Sequence, residues 1–73
     1  MNNLLKGLPQ EQRDIMKAYA TIQAENMSID MLSGQYAEAS IQQNKAKKKR
    51  CAKLMVERAK ILLESAEKLA SLE

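Results

Sequence analysis

CAKLMVERAKILLESAEKLASL, residues 51–72, decides the fold. Ala52, Met55, Ala59, Leu62, Ala66 and Leu69 step by three and four in strict alternation, the spacing that brings side chains onto one face of a helix. Val56, Leu63 and Ala70 widen that face on one side; Cys51, Leu54, Ile61 and Leu72 widen it on the other. The polar remainder is narrow: Lys53, Lys60 and Glu67, with Glu57, Glu64 and Ser71. A helix that packs on a single neighbour needs an apolar arc of only about 100°. This arc is wider, so the segment is expected to meet more than one neighbour.

Upstream, a second pattern has a period of seven. Leu8, Ile15, Ile22, Ile29 and Tyr36 recur at that interval, and Ala18, Leu32 and Ala39 fill the companion positions, with Glu25 interrupting them. Gly7-Leu8-Pro9 marks a helix start, with Glu11 in the first turn where the helix dipole favours it. The two periods are out of phase by two residues, and the slip falls between Ala39 and Cys51. Ser33-Gly34 is the strongest breaker after Pro9, so the reading places the turn there. It gives an N-terminal arm over 1–8 and one helical domain over 9–73. Within that domain it assigns a helix over about 9–27, a turn or short third helix over about 28–35, and a long helix over about 36–72. A first helix running to about 43, with its turn at Gln43-Asn44, is the competing version. The fold class is all-α: an antiparallel helical hairpin whose long C-terminal helix joins an oligomeric bundle.

That layout has a mechanical consequence. A first helix starting at Pro9 and turning near Gly34 covers the second only to about residue 60. The remaining turns, at ~1.5 Å per residue, overhang by roughly 20 Å. A chain of 73 residues has little core of its own. One cysteine allows no internal disulfide, and without histidine a structural zinc site is not expected. Self-association through Ala52, Met55, Ala59, Ile61, Leu62, Leu63, Ala66 and Leu69, as a dimer or higher oligomer, is therefore expected.

Enzymatic signals are weak. With no histidine the commonest general base is missing, and the two glycines lie too far apart for a phosphate-binding loop. No catalytic residue, metal or cofactor is expected. Cys51, among cations, reads as a small seam residue before it reads as a reactive thiol. Asn26-Met27-Ser28 matches the glycosylation sequon, but that reading needs secretion, and no secretory signal is expected from Met1 to Leu8. A cytoplasmic setting and no membrane span are expected.

Two further features point to partners. Lys45, Lys47, Lys48, Lys49, Arg50 and Lys53 put six cations into nine residues without an acid, while the rest of the chain is mildly acidic. Such a block attracts phosphate or an acidic protein, yet no aromatic lies within it to stack on bases. Met16, Ala20, Ala24, Met27 and Met31 form a second stripe on the first helix, away from its isoleucine seam. Methionine suits adaptable contact surfaces. The leading expectation is thus a small non-enzymatic regulator, an adaptor or inhibitor in the manner of antirepressors and anti-defence proteins, binding another protein through helical faces. A nucleic-acid-binding regulator using 45–53 is the first alternative. A structural or secretion-apparatus subunit is the second.

Overall fold

The computed structural model describes Gly7 and residues 9–72; the expected arm over 1–8 lies, apart from Gly7, outside them. Among the described residues there are two helices and no strand. Helix α1 runs Gln10–Ile41 and α2 runs Lys45–Leu72. They pack side by side, antiparallel, as an all-α hairpin.

Pro9 is the cap of α1 and not its first residue. Its backbone is extended (φ −55°, ψ 153°), and its carbonyl accepts the first intrahelical bond from the Arg13 N–H at 3.1 Å. Thirty-two residues of alanine, glutamine, glutamate, methionine and isoleucine then run without a break. Gly34 lies inside this helix, which corrects both the turn over 28–35 and the long helix over 36–72. A lone glycine costs a helix only about 1 kcal/mol relative to alanine, too little to overrule the packing on either side of it.

The turn is made by Gln42, Gln43 and Asn44. Gln43 adopts the left-handed conformation at φ 57°. Its N–H donates to the Ser40 carbonyl at 3.2 Å, and the Asn44 N–H donates to the Ala39 carbonyl at 2.9 Å. These two bonds close the last turn of α1 as a Schellman motif. Asn44 then opens α2. Its carbonyl accepts from Lys48 N–H at 3.0 Å, and its side-chain Oδ1 accepts from Lys47 N–H at 3.1 Å. One asparagine thus ends a helix and caps the next.

With the turn at 42–44, α1 is long enough to run the whole length of α2, so the expected overhang beyond residue 60 does not exist. The central line of α1 is Ala18, Glu25, Leu32 and Ala39; that of α2 is Cys51, Arg58, Ser65 and Leu72, each at seven-residue intervals. The apolar residues that become fully buried are all small: Ala18, Ala39 and Cys51. The chain exposes 5853 Å², against roughly 4500 Å² expected for a compact 8.2 kDa monomer.

A Cβ built on Gly34 meets nothing within 4 Å. Gly34→Ala should therefore stabilise the protein by about 0.5–1 kcal/mol. Gln43→Gly should stabilise it by about 1 kcal/mol by relieving the left-handed backbone, and Asn44→Ala should cost about 1 kcal/mol. Urea denaturation followed by circular dichroism at fixed protein concentration reads all three. A destabilised Gly34→Ala would place the turn back at the glycine.

Candidate functional site: an apolar face, a methionine edge and a cationic tip

A two-helix hairpin is a single layer with two flat faces. In antiparallel helices, residues four positions after a central-line residue point to the same flat face on both helices, and residues three positions after it point to the other. Tyr36 and Lys48 mark the first face, where the Lys48 ammonium lies 5.5 Å from the Tyr36 ring centre. Ser28, Gln35 and Leu54 mark the second. There, with Met31, Leu32 and Arg58, they line a shallow groove of about 190 Å³.

The first face is apolar along the inner row of α1 and over residues 52–70 of α2, with Asn26, Ser33 and Ser40 in the next row of α1 and Lys48 at the tip. Helix α1 contributes Ile15, Tyr19, Ile22, Ile29 and Tyr36. From α2 come the Met55-Leu62-Leu69 line, the Ala52-Ala59-Ala66 line beside it, and Val56 and Leu63 beyond. Not one of the large side chains here is fully buried. Ile22, Ile29, Tyr36, Met55, Leu62 and Leu69 are half-buried, while Ile15, Tyr19, Val56 and Leu63 are 38–57% exposed. Seven of the eight predicted self-association residues therefore share one continuous surface. Ile61 does not: it belongs to the second face, beside Leu54. The isoleucines of α1, read from sequence as the internal seam, form the near edge of this open face, because the helices meet along the alanine line next to them.

The methionine stripe is separate. Ala20 and Met27 occupy the outer edge of α1, with Met16 toward the first face and Met31 toward the second. All four are exposed, Met27 at 70% and Met31 at 66%. The Thr21 hydroxyl bonds back to the Lys17 carbonyl at 3.0 Å and Gln23 donates to the Tyr19 hydroxyl at 2.8 Å.

The six cations of 45–53 ring the first two turns of α2 at the hairpin tip. Lys45, Lys49, Arg50 and Lys53 are exposed; Lys47 and Lys48 are half-buried. Among the described residues no carboxylate lies within ion-pair distance of any of them. They surround a helix N-terminus, whose dipole disfavours positive charge. They form a charged pole and not a stripe along one groove.

The interruption at Glu25 is answered by Arg58, a partner that sequence reading did not single out. Glu25 is only 9% exposed, and its Oε1 lies 3.6 Å from Arg58 Nη1. The second carboxylate oxygen, Oε2, has no hydrogen-bond donor among the described residues. The signal was available: Cys51, Arg58 and Ser65 make a polar line at seven-residue spacing, one more heptad phase than the apolar pattern alone reveals. Cys51 is buried, and its thiol donates weakly to Gln35 Oε1 at 3.9 Å, which fits a seam residue.

Among the described residues no cluster of histidine, cysteine and acidic side chains could hold a metal ion. The groove is smaller than the roughly 300 Å³ at which small-molecule sites begin. None of the described helices is long and apolar enough to cross a membrane. No family model, curated protein or solved structure matches the chain.

The pair makes a specific stability pattern. Arg58→Met should cost about 1–2 kcal/mol, because it strands the Glu25 carboxylate at a helix–helix contact. Adding Glu25→Leu should restore the loss or exceed wild type. Urea midpoints of the two single variants and the double variant check it; a double variant no better than Arg58→Met would show that Glu25 needs no counter-charge.

Proposed function

We propose that this protein is a small non-enzymatic regulator that acts by contact: it associates with itself through the first flat face and offers the methionine edge of α1 to another protein, as an adaptor or inhibitor does. The observation carrying the reading is that no large apolar side chain in the hairpin is fully buried, while ten of them lie on one open face. Leaving such groups in water forfeits roughly 1.5–3 kcal/mol for each one that a partner would bury completely. Two helices alone cannot enclose them, since a stable domain closes its core between two layers.

The methionine edge supports the second half of the reading. Its side chains are unbranched and adaptable, and they follow the four-and-three spacing of helix-in-groove recognition. The absence of histidine in the sequence and the small groove favour binding over catalysis.

The cationic tip supports a second reading, a nucleic-acid-binding regulator. Six cations without a carboxylate partner among the described residues, crowded onto a helix N-terminus, are electrostatically costly to the fold, which favours an anionic ligand there. No aromatic lies among them, so contact with phosphates is favoured over reading of bases.

Sedimentation and crosslinking separate the parts. Leu63→Glu should shift the protein to a single copy, while Met27→Lys with Met31→Lys should leave its assembly unchanged. A photo-crosslinker at Met27 should then capture one defined host protein in wild type and in the Leu63→Glu variant, and lose it when Met31 is charged. Lys47→Glu with Lys48→Glu and Arg50→Glu should leave that capture intact. If instead those charge reversals abolish activity, and binding to duplex DNA or RNA falls steeply between 50 and 200 mM salt as phosphate neutralisation requires, the tip reading replaces the first.

A further inference from the structure

Resting on the self-association just proposed, we infer that the occupant of the apolar face is one second copy of this chain, laid face to face with its tip at the opposite end, so that α2 crosses α2 of the partner and the two hairpins form an antiparallel four-helix bundle. Three independent observations lead there.

The first is area. Helix α2 is 28 residues long, or about 42 Å at ~1.5 Å per residue, and two neighbouring helices present a face roughly 20 Å wide. The product, on the order of 800 Å², matches what each partner contributes to a stable interface. A second hairpin has the same length and width, and covers the face from end to end. A single foreign helix would cover half of it.

The second is self-complementarity. A twofold interface must match itself on reversal. From Ala52 to Ala66 the face of α2 does so about Ala59, the middle of the helix; beyond it, Leu69 and Ala70 meet the aliphatic stems of the partner's Lys49 and the partner's Lys48. Reversal places Ala52 opposite the partner's Ala66, and Ala59 opposite its own counterpart. Met55 then lies beside the partner's Leu63, and Val56 beside the partner's Leu62. Small residues meet along the centre, where backbones approach, and large ones fill the space on either side. The alternative, with both tips at one end, stacks α2 on α1. It then sets the alanine line against Tyr19, Asn26, Ser33 and Ser40, which offer no such match.

The third is charge. From Tyr36 to Lys53 the only acidic residue is Glu38, against six cations, so each tip carries a net charge of about +5. Tips at the same end would bring two such poles together. Tips at opposite ends separate them by more than 35 Å at ~1.5 Å per residue, several times the Debye length of about 8 Å at physiological salt.

A spin-label distance decides between the two arrangements. Ala46, exposed on the outer edge at the tip, takes the label as Ala46→Cys in the full chain carrying Cys51→Ala. Gln42→Cys is the second site should Ala46→Cys fail to fold. The inferred dimer gives one tip-to-tip distance, about 40 Å between Ala46→Cys labels or about 50 Å between Gln42→Cys labels. A distance under about 25 Å on a dimer overturns the inferred arrangement and leaves self-association standing. Sedimentation as a single copy at the labelling concentration overturns both. An assembly larger than two overturns the two-copy bundle alone. Leu62→Glu, which buries a charge at the interface without touching the tip, should abolish the 40 Å signal and leave the helical circular dichroism of the hairpin in place.

Discussion

The apolar arc of α2 is wider than one neighbouring helix can cover, and the rest of the structure follows from where its surplus is left. A helix in contact with one partner shields its central line and roughly one row on each side. In α2 the central row, Cys51, Arg58, Ser65 and Leu72, is less apolar than the rows beside it on the first face. The greasier rows, Met55-Leu62-Leu69 and Ala52-Ala59-Ala66, are turned toward a flat face. The hairpin therefore encloses small residues and a charge pair, and displays its large hydrophobic side chains. A sequence selected to stand alone would place leucine in the seam and charge on the face.

The polar groups inside the hairpin make this orientation specific. An apolar α2 could rotate by one row and still find grease against α1. Rotation would move Arg58 from beside Glu25, and a carboxylate at 9% exposure cannot be left without a cation cheaply. The pair adds little net stability and instead fixes which row of α2 faces α1, the use of buried charge best attested in helical assemblies. At the tip, Asn44 fixes the axial register by capping α2 within a residue of the Schellman closure of α1. Pinned in rotation and in translation, the hairpin presents one set of rows outward.

The all-α hairpin, the helical period of both segments and the excess width of the C-terminal face were all legible in the residues. The two-residue slip between Ala39 and Cys51 marked the turn correctly, and Gly34 drew attention away from it. The physical lesson is one of magnitudes. A breaker acts on a single residue, whereas a change of heptad phase reflects the packing of every side chain on either side of it. The mistaken turn carried a second error with it: surplus apolar surface was expected beyond the end of α1, when it lies on a flat face over residues 52–70 of α2, alongside α1. Arg58 was passed over for a different reason. A cation in an apolar window reads as solvated until its partner is known, and Glu25 lies 33 positions earlier in the chain.

The proposed self-association and the proposed partner binding would not compete on this scaffold, because the surfaces assigned to them point in different directions. Covering the first face buries the alanine and leucine rows of α2 and the isoleucines of α1. Met27 and Met31 lie around the other side of α1, and Met16 at its rim, so a bundle of two hairpins would display two methionine edges. In the reversed pairing those edges and the cationic tips are related by one twofold axis, each tip next to the open end of the other copy. Any partner that engages both edges meets a symmetric, bivalent surface. Its binding is then linked to the pairing of the hairpins by mass action, and a contact on α1 would stabilise an interface formed mainly by α2.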